Sequence, residues 1–350
     1  MTTMAATPGF VTGGVDTHLD VHVAAAVDHL GGVLGTASFP ATAAGYRQLL
    51  SWLGEQGPVE RVGVEGTGSY GSALTYYLHG QGVPVTEVGR PNRQVRRRRG
   101  KSDVIDAIAA ARAVIAGDAT AVPKSHDGPV EALRTLKLVQ RSANKARTMA
   151  LNQLRNLVVT APDAVRARLR GLSRADLLAT CAAFRISADD DSLAAIIRLS
   201  LRELAQRVVH LDDQLHRCEQ RLRRLTAALA PQLLAIKGVG PDVASTLLIT
   251  AGDNPARLCN EKSFASLCGT SPLQASSGKQ TRHRLNRGGD RQANAALWRI
   301  AIVRMATDQR TRDYVSRRLA EGKNKPEIIR CIKRYIAREI YHAITCNRRT

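Results

Sequence analysis

The chain has 350 residues, 44% of them apolar, enough for two or three compact units with real cores and too many for a wholly disordered protein. Lysine and arginine number 51 against 30 aspartate and glutamate, a net charge of +21 with a pI near 10.5. A field of that sign selects a polyanion; DNA or RNA fits better than an anionic membrane, because no basic helix carries the Trp- or Phe-rich face of an interfacial anchor.

The opening stretch MTTMAATPGFVTGG has no basic segment before an apolar core, so no signal peptide is expected, and no uninterrupted apolar run is long enough to span a bilayer. VTGGVDT reads as a strand. In LDVHVAAAV, Val21, Val23, Ala25 and Val27 recur with a period of two, and VLGTASF follows after a hairpin turn at Gly31-Gly32. A helix near 41–54, a strand over 61–66, a helix near 69–80 and a strand over 83–88 come next. Three strands in succession and then alternating helices and strands predict an α/β domain over 11–125, a mixed sheet covered by helices. Residues 126–230 read as a helical coiled-coil segment. Apolar positions from Ile197 through Leu201, Leu204, Val208, Leu211, Leu215, Cys218, Leu222 and Leu225 to Leu229 step by four and three, a heptad seam. An earlier helix over about 130–159 carries Leu136, Val139, Ala143, Ala146, Ala150 and Leu157 at similar spacing, with Lys137, Arg141, Lys145, Arg147 and Arg155 on its other faces. The pair fits an antiparallel arm, a dimer seam or a bundle inside one chain. Residues 231–350 read as a mainly helical, basic C-terminal domain ending in an amphipathic helix near 326–345. The six cysteines are scattered without a CxxC pair, which points to reduced thiols in a cytoplasm.

Four acids stand where chemistry needs them. Asp16 ends the first strand, and Glu65 ends RVGVEG, just before Gly66. Asp103 and Asp106 share one face of the helix that starts in GKSDVIDA. Strand-end acids are ordinarily turn residues, and an acidic first turn ordinarily complements the helix dipole. Their conjunction in so basic a chain points instead to hard divalent cations, Mg²⁺ as one or two ions, serving phosphodiester chemistry. The strand-end Asp also fits the phosphate loop of an actin-like ATPase or sugar kinase, but no further Gly-rich loops are placed to serve a nucleotide. The run Arg96, Arg97, Arg98, Arg99 with Lys101 lies beside the aspartate pair, and sparse aromatics (4%) favour backbone phosphate contacts over base stacking.

Farther on, LLAIKGVGPDVAS reads as helix, glycine turn and helix. Gly238 and Gly240 allow close backbone approach, and Pro241 opens the second helix, as in a helix-hairpin-helix that grips a nucleic-acid backbone; a purely structural αα-hairpin is the other reading. In SPLQASSGKQTRHRLNRGGD, Ser277 or its neighbour Ser276 precedes Lys279, Arg282, Arg284 and Arg287, cations suited to a scissile phosphate. His283 is either a proton carrier or one more phosphate contact.

The segments GVDTHLDVH, VEGTGSYG, GKSDVIDA, IKGVGP and CGTSPLQASSGKQ…NRGGD, in this order, resemble the DEDD transposases of insertion sequences, the one-hundred-and-ten family. The resemblance covers nearly the whole chain. It implies a RuvC-like, ribonuclease-H-type domain whose metal ligands fall on Asp16, Glu65, Asp103 and Asp106, and a serine nucleophile that falls on Ser277. It further implies a bridge-RNA-guided recombinase: a structured guide RNA pairs with donor and target DNA, strands are cut through a transient phosphoserine link, and active sites are shared between subunits of a dimer or tetramer. Such a protein is expected in the bacterial cytoplasm, on the nucleoid. Gly66 stands where the family more often has Ala, and the arginine run before Lys101 is unusually dense. Two other readings remain: a metal-dependent junction resolvase or nuclease in which water attacks, and a non-catalytic nucleic-acid-binding protein.

Overall fold

The computed structural model describes residues 9–89, 102–187, 189–274, 283–284 and 286–346. The predicted contacts Arg96 to Arg99 and Lys101, and the residues Ser276, Ser277, Lys279 and Arg282, lie outside the described residues. The chain forms two compact units, Met1–Gly128 with Gly252–Cys259, and Pro129–Ala251 with Asn260–Thr350.

The first unit is built on five strands, β1 (Val11–Thr17), β2 (Val21–Val27), β3 (Val33–Pro40), β4 (Val59–Glu65) and β5 (Val85–Val88), in the order β3-β2-β1-β4-β5. The first three are antiparallel neighbours, and β1, β4 and β5 run parallel. Helices α1 (Ala43–Gln56) and α2 (Ser72–Gly80) cover one face, burying Tyr46, Leu49, Leu53, Leu74 and Leu78 against Val15, Ala24, Ala26, Val62 and Val64. Thr42 caps α1 by accepting from the Gly45 amide at 3.2 Å. Helix α3 (Asp103–Ile115) covers the other face, where Ala107 and Ala111 meet Val23, Ala25 and Val27. The period of two in β2 is therefore real, but both faces are apolar because both are covered, and small alanines let the helices sit close.

The unit is completed from far along the chain. Asn254 accepts from the Ser125 amide at 3.2 Å and donates to the Pro123 carbonyl at 2.9 Å, and Arg257 donates to the Val122 carbonyl at 2.9 Å.

Among the described residues the second unit is helical apart from one small ladder. Helices α4 (Pro129–Thr160) and α7 (Leu193–Leu229) pack along each other, and α5 (Asp163–Leu169) and α6 (Arg174–Ala182) close one end. Ala150 and Leu154 meet Leu201, Ala205 and Val208, while Arg147 donates to Asp212 at 2.7 Å, so the two long helices run antiparallel. The seam read from Ile197 onward thus has its partner, α4, within the same chain. On α4 the inward residues are Val130, Leu133, Lys137, Ala143, Ala150 and Leu154. This corrects the reading of its faces: Val139 is exposed, and Lys137, expected on an outer basic face, is buried. The remainder comprises α8 (Pro231–Leu234), α9 (Pro241–Ala251), a 3₁₀ turn at Pro255–Arg257 that belongs to the first unit, α10 (Glu261–Leu267), α11 (Arg291–Thr307), α12 (Gln309–Ala320) and α13 (Lys325–Cys346). Strands β6 (Leu273–Gln274) and β7 (His283–Arg284) pair antiparallel. Among the described residues no helix is long and apolar enough to cross a membrane, and Cys181, Cys218, Cys259, Cys268 and Cys331 are free.

Candidate metal centre

Two glycines bring the acids of the sheet and the helix together. Gly14 of β1 and Gly63 of β4 are register partners. A Cβ at Gly14 would meet the Ala107 carbonyl oxygen at 2.1 Å and the Ala111 nitrogen at 2.4 Å; one at Gly63 would meet Val114 Cγ2 at 2.7 Å. Helix α3 therefore lies directly on the backbone of both strands. Side chains two residues on along each strand point to the same face, which puts Asp16 and Glu65 at the end of the sheet where α3 begins. Beyond Glu65 the chain turns through Gly66 at φ 71°, with Thr17 Oγ1 donating to the Glu65 carbonyl at 2.8 Å.

At this junction Asp16, His18 and Asp103 each offer one ligand atom, and these atoms lie within 4.8 Å of one another. His18 Nε2 stands 3.3 Å from an oxygen of Asp16 and 3.3 Å from one of Asp103. The nitrogen itself is buried and aligned for a hydrogen bond with neither, among the described residues. Asp16 and Asp106 are both buried. Burial holds the Asp16 carboxyl above its ordinary range; His18 works against that, while the nearby charges of Asp106 and Asp103 add to it. Converging acids, one of them driven toward its protonated form, are an arrangement that a divalent cation would stabilise. The donor set fits such an ion: carboxylate oxygens suit hard cations, and an imidazole nitrogen extends the choice toward transition metals.

Of the four acids expected from the sequence, Asp16 and Asp103 are in the cluster, Asp106 is one turn along α3 and electrostatically coupled to Asp16, and Glu65 stands on the same face at the neighbouring strand end, outside the three-atom group. His18 was missed. Its signal was available in the spacing Asp16-x-His18, because residues two apart at a strand end share a face.

In the second unit, Gly238 adopts φ 87° in the turn between α8 and α9, and Gly240 is exposed with open space where a side chain would be. The first turn of α9 already carries a carboxylate, Asp242, which pairs with buried Lys137 and, at 2.9 Å, with Arg299. Arg284, in β7, and Arg287 are exposed.

Comparison with known proteins identifies the family. A DEDD transposase model of the IS110 group, described as "Transposase", matches residues 13–161, which include Asp16, Glu65, Asp103 and Asp106. A second, described as "Transposase IS116/IS110/IS902 family", matches residues 230–316, including the glycine turn and the serine segment. The chain is 31% identical over 129 residues to the insertion element IS110 uncharacterized 43.6 kDa protein of Streptomyces coelicolor, a stretch that covers 36% of this chain and 32% of that relative, so it spans about a third of the relative's length. On both family matches, the chain belongs to the IS110 family of transposases.

Proposed function

We propose that the protein is an RNA-guided DNA transposase that cuts and rejoins strands with a metal-bound carboxylate cluster and a serine nucleophile. The reading is carried by one observation, the meeting of Asp16, His18 and Asp103 within 4.8 Å where β1 ends and α3 begins. The strand order β3-β2-β1-β4-β5, three antiparallel strands followed by two parallel ones, supports a RuvC-like, ribonuclease-H-type first unit.

Asp16, Glu65, Asp103 and Asp106, with His18 beside them, are the residues that would hold Mg²⁺, which would supply positive charge for phosphodiester chemistry. Ser277 Oγ gives up its proton and forms a bond to phosphorus as the bond from phosphorus to a deoxyribose oxygen breaks; that oxygen leaves with a proton. The phosphodiester's energy stays in the phosphoserine link, and a deoxyribose hydroxyl from the new partner strand reverses the step without ATP. Lys279, Arg282, Arg284 and Arg287 are suited to the phosphate's charge, and the arginine run 96–99 with Lys101 to backbone contacts. The net charge of +21 suits a structured guide RNA as well as donor and target DNA. Family resemblance favours a homo-oligomer, dimer or tetramer, with sites shared between subunits, working on the nucleoid.

The test mixes the protein with Mg²⁺, element-derived RNA and labelled junction DNA and looks on a denaturing gel for a protein–DNA adduct. The adduct is expected with the wild type and absent with Ser277→Ala. Cleavage unchanged in Ser277→Ala leaves a hydrolytic nuclease; nucleic-acid binding with no cutting that Asp16→Ala removes leaves a binding protein.

A further inference from the structure

Two lysines are buried in the helical unit, and their surroundings differ. Lys137, 4% exposed, is paired with the Asp242 carboxylate. Lys333 on α13, 6% exposed, donates instead to a neutral group, Asn294 Oδ1, at 2.8 Å. That amide is held by its own donations, from Nδ2 to the carbonyls of Cys268 at 2.9 Å and Gly269 at 3.1 Å, which is why its oxygen faces the lysine. The charge that acts on Lys333 is another cation, Arg330; burial first, and then this neighbour, hold its pKa below the ordinary lysine range. An ammonium taken out of water without a carboxylate is costly. Among the described residues, Lys137 is balanced by a carboxylate and Lys333 is not.

Lys333 is part of the wall of a cavity of about 670 Å³. Arg284, Arg318, Lys323, Arg330 and Arg334 share that wall, and among its described residues Glu327, 4.0 Å from Arg330, is the one carboxylate. Arg334 is tied to Glu261 at 3.1 Å, yet its Nη1 is buried without a hydrogen-bond partner among the described residues. Tyr335, more than half exposed, adds an aromatic face beside these cations. Guanidinium forks and an ammonium match the charge of a phosphodiester backbone, and a ring beside them offers a face on which a base can stack. Arg284 also ties the cavity to the chemistry: it pairs with Leu273 in the ladder, and Ser277 follows that ladder's Gln274 by three residues in sequence. The C-terminal family match ends at residue 316, before Lys323, Arg330 and Lys333.

We infer that this cavity is a phosphodiester-binding pocket for the DNA strand presented to the serine segment, with Lys333 and Arg330 as its main contacts. The choice of DNA rests on the reading of Ser277 as nucleophile; the pocket itself does not.

The experiment uses the full chain and a fluorescein-labelled single-stranded DNA oligonucleotide, followed by anisotropy over a salt series, with thermal unfolding in the absence of DNA. Lys333→Met is expected to unfold at the wild-type temperature or higher, because an unbalanced charge has been removed. Its DNA affinity is expected to fall about tenfold at fixed salt, with a slope of log K against log salt smaller by about 1. Arg330→Gln, at a more exposed position, is expected to lose a similar slope with no change in unfolding. Ser277→Ala is expected to bind as wild type, so failure of the adduct test and failure of this pocket are separately visible. Unchanged affinity and slope in both variants overturn the inference. So does a Lys333→Met protein that melts early while Arg330→Gln binds normally, the pattern of a purely structural lysine. A loss confined to an RNA oligonucleotide of the same sequence, with DNA affinity intact, overturns the assignment to DNA.

Discussion

Gly14 touches Ala107 backbone to backbone: a Cβ on the glycine would lie 2.1 Å from the alanine's carbonyl oxygen. Asp16 is two residues beyond Gly14, and Asp103 is one turn before Ala107, so this contact sets the distance between the two acids. Gly14→Ala is expected to push α3 off the sheet. Overpacking of this kind costs about 1–3 kcal/mol or more, and the stabilisation given by Mg²⁺ or Mn²⁺ should vanish with it. Urea unfolding with and without the cation checks both effects. Gly54→Ala, in α1 with open space around it, is the control and should gain roughly 0.5–1 kcal/mol.

Asp16 carries a second prediction. Its pKa is raised by burial and by its acidic neighbours, so without metal the ionised carboxylate costs stability at neutral pH. A raised carboxyl pKa means that this cost fades as pH falls through the folded-state value. Asp16→Asn should therefore melt at or above the wild-type temperature in chelator and show no shift when a divalent cation is added. An Asn variant that melts early in chelator and still responds to metal would remove Asp16 from the centre.

The pair Lys137–Asp242 gives a prediction of the opposite sign. Burial alone would raise the Asp242 pKa, but hydrogen bonding and charge from Lys137 and Arg299 overcome it, and the net direction is down. A depressed carboxyl contributes stability above its unfolded pKa and loses it as pH falls through the folded one. Asp242→Asn should cost on the order of 2 kcal/mol at pH 7, toward the low side for a broken buried ion pair because the Asp242 side chain is 39% exposed. The gap between variant and wild type should narrow on acidification below the ordinary carboxylate range. Equal denaturant midpoints at neutral pH would show that Lys137 finds another partner.

How much of this was legible in the sequence follows from the kind of information each feature uses. The strands and long helices were, because apolar periodicity is local: the helix expected over about 130–159 is Pro129–Thr160, and the last helix, expected near 326–345, is Lys325–Cys346. Helix α2 was expected to begin near residue 69 and begins at Ser72, because Gly66 to Gly71 form a hydrogen-bonded turn, with the Ser69 and Gly71 amides both bonded to the Gly66 carbonyl. Asp16 and the Asp103–Asp106 pair could be found from strand end and helix spacing. His18 was passed over because its only signal is its spacing from Asp16, two residues along the same strand end, and that signal has meaning only once Asp16 is read as a ligand. Lys137 and Lys333 look alike in sequence, each a basic residue on an amphipathic helix, and only long-range packing tells which one received a carboxylate.

The first unit borrows residues 252–259 from beyond the helical insertion. During synthesis from the N-terminus, the carbonyls of Val122 and Pro123 and the amide of Ser125 wait for Asn254 and Arg257 until both long helices have been made. A fragment cut at residue 128 keeps every strand of the main sheet but loses this clasp. The sheet-bearing part is thus a circuit closed by the chain's own return, and its last bonds form only after the helical hairpin has been translated.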